Sequence, residues 1–156
     1  MVVGISGARK IGDADIKKIH TEMNSLVNDT EVEEIVFGGA NGTDTWALVS
    51  AFDIRTTLGL DRPRLTVIVP NCIMNQPKDA RQAIYDFADK VVQLKKAVGR
   101  FNGFKAYHDR NIAIINKSDR MICFPLKSNK KGGTRHTMWE SKKRGIEPTV
   151  IELEGV

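Results

Sequence analysis

Several features that would place a chain in a specialised class are missing here. No stretch of the 156 residues approaches the roughly 18 consecutive apolar residues of a membrane span, and the opening run MVVGISGARK is too short for a signal-peptide core. A cytoplasmic chain without a membrane partner is therefore expected. The only cysteines, Cys72 and Cys123, lie far apart with no CxxC or Cys/His spacing. They read as buried reduced thiols, which argues against a disulfide framework and a structural zinc site. A GxxxxGK[ST] loop is absent, and with it the usual triphosphate-hydrolysing machinery; Ser6 lacks the GxSxG frame of a serine nucleophile. Internal repeats, low-complexity segments and an interdomain linker are also lacking, and the length suits one domain over residues 1–156.

What is present is ordinary globular composition, with 41% hydrophobic and 28% charged residues. The net charge of +5 and a pI near 9.3 suit a phosphate-bearing partner but fall short of the dense basic stripe of a dedicated DNA-binding domain. Much of the positive charge crowds towards the C-terminus, in Lys127, Lys130, Lys131, Arg135, Lys142, Lys143 and Arg144. A solvated helix face would account for the last three.

Apolar runs of strand length alternate with helix-period segments from end to end. That alternation predicts an α/β fold, a Rossmann-like three-layer sandwich with a mainly parallel central sheet. Strands are expected at Val2–Ile5, Glu34–Phe37, Leu65–Val69, Val91–Leu94, Met121–Phe124 and Thr149–Leu153. Ile16, Ile19, Met23 and Leu26 recur at helical spacing between Asp13 and Asn28. The next helix carries Trp46, Ala47, Ala51, Ile54 and Leu58 towards the sheet and ends at Gly59; others follow at 77–88, Tyr107–Asn116 and Thr134–Arg144. The stretch Lys95–Lys105 has two glycines and no periodicity and reads as a loop.

In such a sheet, ligands sit beyond the carboxyl ends of the strands, where helix N-termini line a crevice. Three strand exits have the chemistry for this. The first, GISGAR, offers Ser6, Gly7 and Arg9: small residues for close approach and a guanidinium for an anion, although a plain tight turn would look the same. The second, GGANGTD, places Gly38, Gly39 and Gly42 just before a helix that Thr43 or Asp44 can cap; Asp44 is either a ligand residue or only that cap. The third, PLKSNKKGGTRHT, combines Lys131, Gly132, Gly133, Thr134 and Arg135, where free amides and a hydroxyl could cradle an anion that the two cations neutralise. Arg110 and Asn111, near the start of the helix before the fifth strand, could fork onto a phosphate and read a base or ribose; Arg110 could equally pair with a carboxylate.

Taken in order, GISGAR, GGANGTD, HDRN, SDRMICFP and GGTRHT resemble the SLOG superfamily, the Rossmann-like group named for DNA-processing protein A and the Lonely Guy proteins, and within it the small YspA-type branch. The resemblance runs over nearly the whole chain. It implies a shared site for a nucleotide-derived small molecule and association into homodimers or larger oligomers. Lonely Guy enzymes cleave a base from a nucleoside monophosphate with a glutamate three residues after the glycine-threonine pair, where this chain has Thr137. A hydroxyl is a poor substitute for a carboxylate in N-glycosidic hydrolysis, so binding without turnover is the first expectation. A nucleotide hydrolase using Glu140 or Asp44 is the second, and single-stranded DNA binding the third, with Phe101, Phe104 and Tyr107 stacking on bases beside Lys95, Lys96, Arg100 and Lys105. No cofactor is expected. Trp46 and Trp139 read as packing residues, and His108 and His136 lack a third metal ligand at recognisable spacing, so no metal site is expected.

Overall fold

The computed structural model describes residues 1–94 and 103–156, and side chains for all of these except 103 and 104. Its elements are β1 (Val2–Gly7), α1 (Asp13–Asn28), β2 (Glu34–Phe37), α2 (Thr43–Thr57), β3 (Arg64–Val69), α3 (Lys78–Phe87), β4 (Lys90–Gln93), α4 (Gly103–Lys117), β5 (Arg120–Phe124), α5 (Gly133–Lys143) and β6 (Thr149–Val150). The strands form one sheet in the order β4-β3-β2-β1-β5-β6, and every pairing is parallel. The chain steps outward from β1 to β4, then crosses back to β5 on the other side of β1. The order therefore reverses between β1 and β5, which is where connections diverge and leave a crevice.

Two-residue periodicity assigns the strand side chains to two cores. Val3, Ile5, Ile35, Phe37, Leu65, Val67, Ile122 and Phe124 pack with α1, α2 and α3, whereas Val36, Ile68, Met121 and Cys123 pack with Ile114 and Ile115 of α4. Strands buried on both faces explain the nearly continuous apolar runs in the sequence. Burial also pushes the Cys123 thiol up to about 12, so it is an inert packing group, while Cys72 is half-buried. No helix among the described residues is long and apolar enough to cross a membrane.

Four details depart from the sequence expectations. The loop expected at Lys95–Lys105 falls largely outside the described residues, but its end is helical, because α4 begins at Gly103. Arg110 and Asn111 are consequently well inside α4 rather than near its start. Trp46 and Leu58 are exposed by 42% and 47%, because Leu48, Ala47, Ala51 and Ile54 supply the buried face of α2. Trp139 is 54% exposed and lies under Lys143 instead of packing in the core. The last strand pairs only over Thr149–Val150, with a separate bridge from Leu153 to Leu126.

One buried carboxylate ties the chain's end to its first helix. Asp15 accepts the backbone N–H groups of Gly12 (3.0 Å), Glu154 (2.8 Å) and Gly155 (2.9 Å). Burial works to raise its pKa, but these three donors and Lys18 outweigh it and hold Asp15 below the usual carboxylate range. A depressed folded-state pKa stabilises the protein above the unfolded value and ceases to do so as pH falls through the folded one. Asp15→Asn is expected to lower stability in urea denaturation at neutral pH by about 2 kcal/mol. The deficit should shrink below about pH 4, as the wild-type carboxyl becomes protonated; an equal deficit at low pH would show that the charge plays no part.

Candidate functional site

The carboxyl ends of β1, β2 and β5 open into a crevice of about 660 Å³. The three strand exits singled out in the sequence meet there. β1 runs further than its sequence suggests: Ser6 pairs with Cys123 and Gly7 with Phe124, so both line the crevice from within the strand and the turn starts at Ala8. The first two exits interlock. Thr43 does not cap α2; its hydroxyl donates to the Ala8 carbonyl (2.9 Å), which its own backbone N–H also reaches (3.0 Å). Gly42 occupies the N-cap position at φ 75°, and a Cβ there would lie 2.3 Å from the Arg9 carbonyl oxygen, so this contact admits only glycine.

Arg110 reaches the same crevice from the opposite face of the sheet. Its guanidinium is buried, donates through Nη1 to the Gly38 carbonyl and through Nε to Asn111 Oδ1 (2.8 Å). Gly38 separates it from Asp44: a Cβ at that glycine would come within 2.8 Å of the guanidinium and 2.9 Å of Asp44 Oδ2. Asp44 also does not cap α2. Its Oδ2 accepts the Ala40 N–H (3.2 Å), while Oδ1 is buried with no hydrogen-bond partner among the described residues. Burial pushes the Asp44 carboxyl up, against the pull of Arg110, of backbone groups of Ala40 and Gly38, and of Arg9. Arg110 thus lines the crevice while its charge acts on the buried Asp44 carboxyl, so both roles open to it from the sequence draw on the same position. Arg9 extends over the Tyr107 ring at 4.5 Å, above the crevice wall.

The third exit supplies an open helix N-terminus. α5 starts at Gly133 after a Gly132 N-cap, and its first intrahelical acceptor is used by His136, so the amides of Gly133, Thr134 and Arg135 have no backbone partner among the described residues. Gly133, Thr134, Lys131 and Arg135 line the crevice. Arg135 also shapes the loop, donating to the carbonyls of Asn129 and Leu126 (3.0 Å each) and pairing with Glu152 at 3.1 Å. Among the described residues, Arg9, Lys10 and Lys131 have no carboxylate within salt-bridge distance.

Ser6, Gly7, Arg9, Gly38, Asp44, Arg110, Asn111, Lys131, Gly133, Thr134 and Arg135 are thus brought together. Gly39, Gly42, Gly132, Thr137 and Glu140 do not line the crevice. Gly39 turns towards Val67, Val69 and Ile84; Thr137 is buried with its hydroxyl on the Gly133 carbonyl (3.0 Å); and Glu140 is buried against Arg144 and His136. Lys10 and Asn129 line the crevice without having been singled out. The signal for Asn129 was its place two residues before Lys131, whose N–H its side chain accepts at 3.0 Å. Of the residues proposed to stack on or hold single-stranded DNA, Lys95, Lys96, Arg100 and Phe101 lie outside the described residues, as does the side chain of Phe104. Tyr107 lines the crevice, and Lys105 pairs with Asp109 at 3.0 Å.

No protein-family model and no curated protein sequence matches the chain. Among solved structures, it is similar to DNA processing protein A from Helicobacter pylori, solved for its single-stranded DNA binding mode, with a TM-score of 0.68 and 18% identity over 97% of this chain and 64% of that one. It is also similar to DNA processing protein A from Streptococcus pneumoniae, with a TM-score of 0.67 and 16% identity over 95% of this chain and 49% of that one. The chain therefore spans less than two thirds of either protein. At these identities the likeness concerns the fold. This chain has the Rossmann-like fold of DNA processing protein A, the architecture that its five motifs imply through their resemblance to the SLOG superfamily.

Proposed function

We propose that the crevice binds a nucleotide unit through its phosphate, and that single-stranded DNA presents this unit. The observation that carries the proposal is the meeting, at one sheet edge, of the open α5 amides with Arg9, Lys10 and Lys131, none of which has a carboxylate within salt-bridge distance among the described residues. A helix N-terminus beside cations that lack ion-pair partners favours a phosphate. The likeness to a single-stranded DNA-binding protein moves that partner ahead of the free nucleotide preferred from sequence. Asn111 gives its oxygen to Arg110, which leaves its NH₂ group to donate to a base or ribose oxygen.

A free nucleotide or nucleotide-derived phosphate is the second reading, favoured by a crevice volume within the range of small-molecule sites. Turnover of a nucleoside monophosphate is not part of either, since Glu140 is outside the crevice and Asp44 is engaged with Arg110. Association of copies, which the motif resemblance implies, belongs to the proposal and is read from the native mass of the purified chain.

Fluorescence anisotropy with a labelled oligothymidylate of about 20 nucleotides tests the proposal. For contacts from three cations, log K against log salt should fall with a slope of about −2, and Arg9→Ala should reduce that steepness by about 0.7. Absence of binding at about 50 mM salt, with a nucleoside monophosphate still bound in calorimetry, would transfer the site to the free ligand.

Arg110→Ala is unsuitable for testing binding alone. It strips the buried Asp44 of its compensating charge and the Gly38 carbonyl of its donor, which should cost roughly 3 kcal/mol of stability in urea denaturation. Arg110→Ala combined with Asp44→Asn should recover part of that loss. Strict additivity of the two substitutions would show the pair to be uncoupled.

A further inference from the structure

α4 and α5 lie on the same face of the sheet, and a pair of imidazoles sits between them. The rings of His108 on α4 and His136 on α5 have centroids 4.8 Å apart, tilted by 45°. Glu140 follows His136 by one helical turn, with Oε1 3.8 Å from His136 Nε2. One ligand atom from each of these three residues lies within 4.8 Å of the other two, and no other group of three His, Cys, Asp or Glu residues gathers so closely among the described residues.

The surroundings prepare the carboxylate for a cation. Glu140 is buried on the α5 side, and Arg144 one turn further on donates to its Oε2, leaving Oε1 directed at the imidazoles. A ligating carboxylate oriented by an outer hydrogen bond is a common feature of metal sites. Two nitrogens and one oxygen suit a borderline divalent ion of the zinc class and not magnesium or calcium, which prefer oxygen alone.

We propose that His108, His136 and Glu140 bind a zinc-class divalent ion, with water completing the coordination, and that the ion clamps α4 to α5. Zinc takes nitrogen and oxygen ligands at about 2.0–2.2 Å, so the three groups must close inward from their present separation. His136, with 47% of its side chain exposed, has room to rotate. None of the three residues lines the crevice, so this site stands independently of the nucleotide proposal. Its effect on the crevice would be indirect, because the clamped helices carry Arg110 and Asn111 on one side and Gly133 and Thr134 on the other.

The test uses untagged full-length protein freed of metal with a chelator, then titrated with zinc chloride by calorimetry and with cobalt chloride by visible absorption. One equivalent should bind, with cobalt giving the absorption of a bound ion. Zinc at about a hundredfold excess over Kd should raise Tm by roughly 5–10 °C. His136→Ala is exposed enough to leave the fold intact and should weaken zinc at least tenfold, as should His108→Ala. Arg144→Ala removes no ligand yet should weaken zinc by about 10- to 100-fold by releasing Glu140. No uptake at 100-fold molar excess, or uptake unchanged in His136→Ala, overturns the proposal.

Discussion

A buried guanidinium holds the two halves of the crevice together. Arg110 belongs to α4 on one face of the sheet, and its partners, the Gly38 carbonyl and the Asp44 carboxylate, belong to the turn after β2, which feeds a helix on the other face. A charge removed from water needs compensation on the spot. Gly38 makes that possible, since any Cβ there would occupy the space between the two charges. The pairing also has an electrostatic consequence for the site. Asp44 feels Arg110 more strongly than Arg9, so the buried guanidinium carries the larger part of its compensation and leaves less of it to the cation at the crevice mouth.

The same economy of space governs the turn after β1. Ala8 gives its carbonyl to both the backbone and the hydroxyl of Thr43, Gly7 leaves no room for a side chain against Thr43, and Gly42 passes over the Arg9 carbonyl. Two loops that are thirty-five residues apart thereby behave as one wall, with Arg9 projecting from it over Tyr107. Rigid placement of a cation lowers the ordering cost of binding an anion, so under the proposed function the packing between these turns would bear on affinity.

The periodicity of buried strands and amphipathic helices was legible in the sequence because it reflects burial directly: Ile19, Met23 and Leu26 face the core as their spacing implied. The three glycine-containing exits were legible for a similar reason, as close approach leaves few residue choices. Roles that depend on partners from distant elements were not. Nothing near Arg110 in sequence reveals that its acceptor is Gly38, and Thr43 looks like a cap until Ala8 is seen beside it. The start of α4 was hidden because Gly103 and its neighbours carry no apolar repeat, and Trp46 misled because a large apolar side chain need not be buried. Glu140 was considered as a catalytic group through its spacing from Thr137; that spacing instead places it under Arg144, away from the crevice.

The seven C-terminal cations show most plainly how sequence and space differ. As a run they suggest a basic patch, yet Lys127, Arg135, Lys142 and Arg144 are paired with Glu154, Glu152, Glu147 and Glu140, and Lys143 lies over Trp139. Only Lys130 and Lys131 remain without such partners among the described residues, and both sit in the loop that leads into the open end of α5. A free nucleotide would need only the cations of the crevice itself. Lys130, exposed beside Lys131 but absent from the crevice lining, places positive charge outside the crevice. Under the proposed function, a neighbouring phosphate along a continuous strand would meet that charge, which a single nucleotide held within the crevice would leave unused.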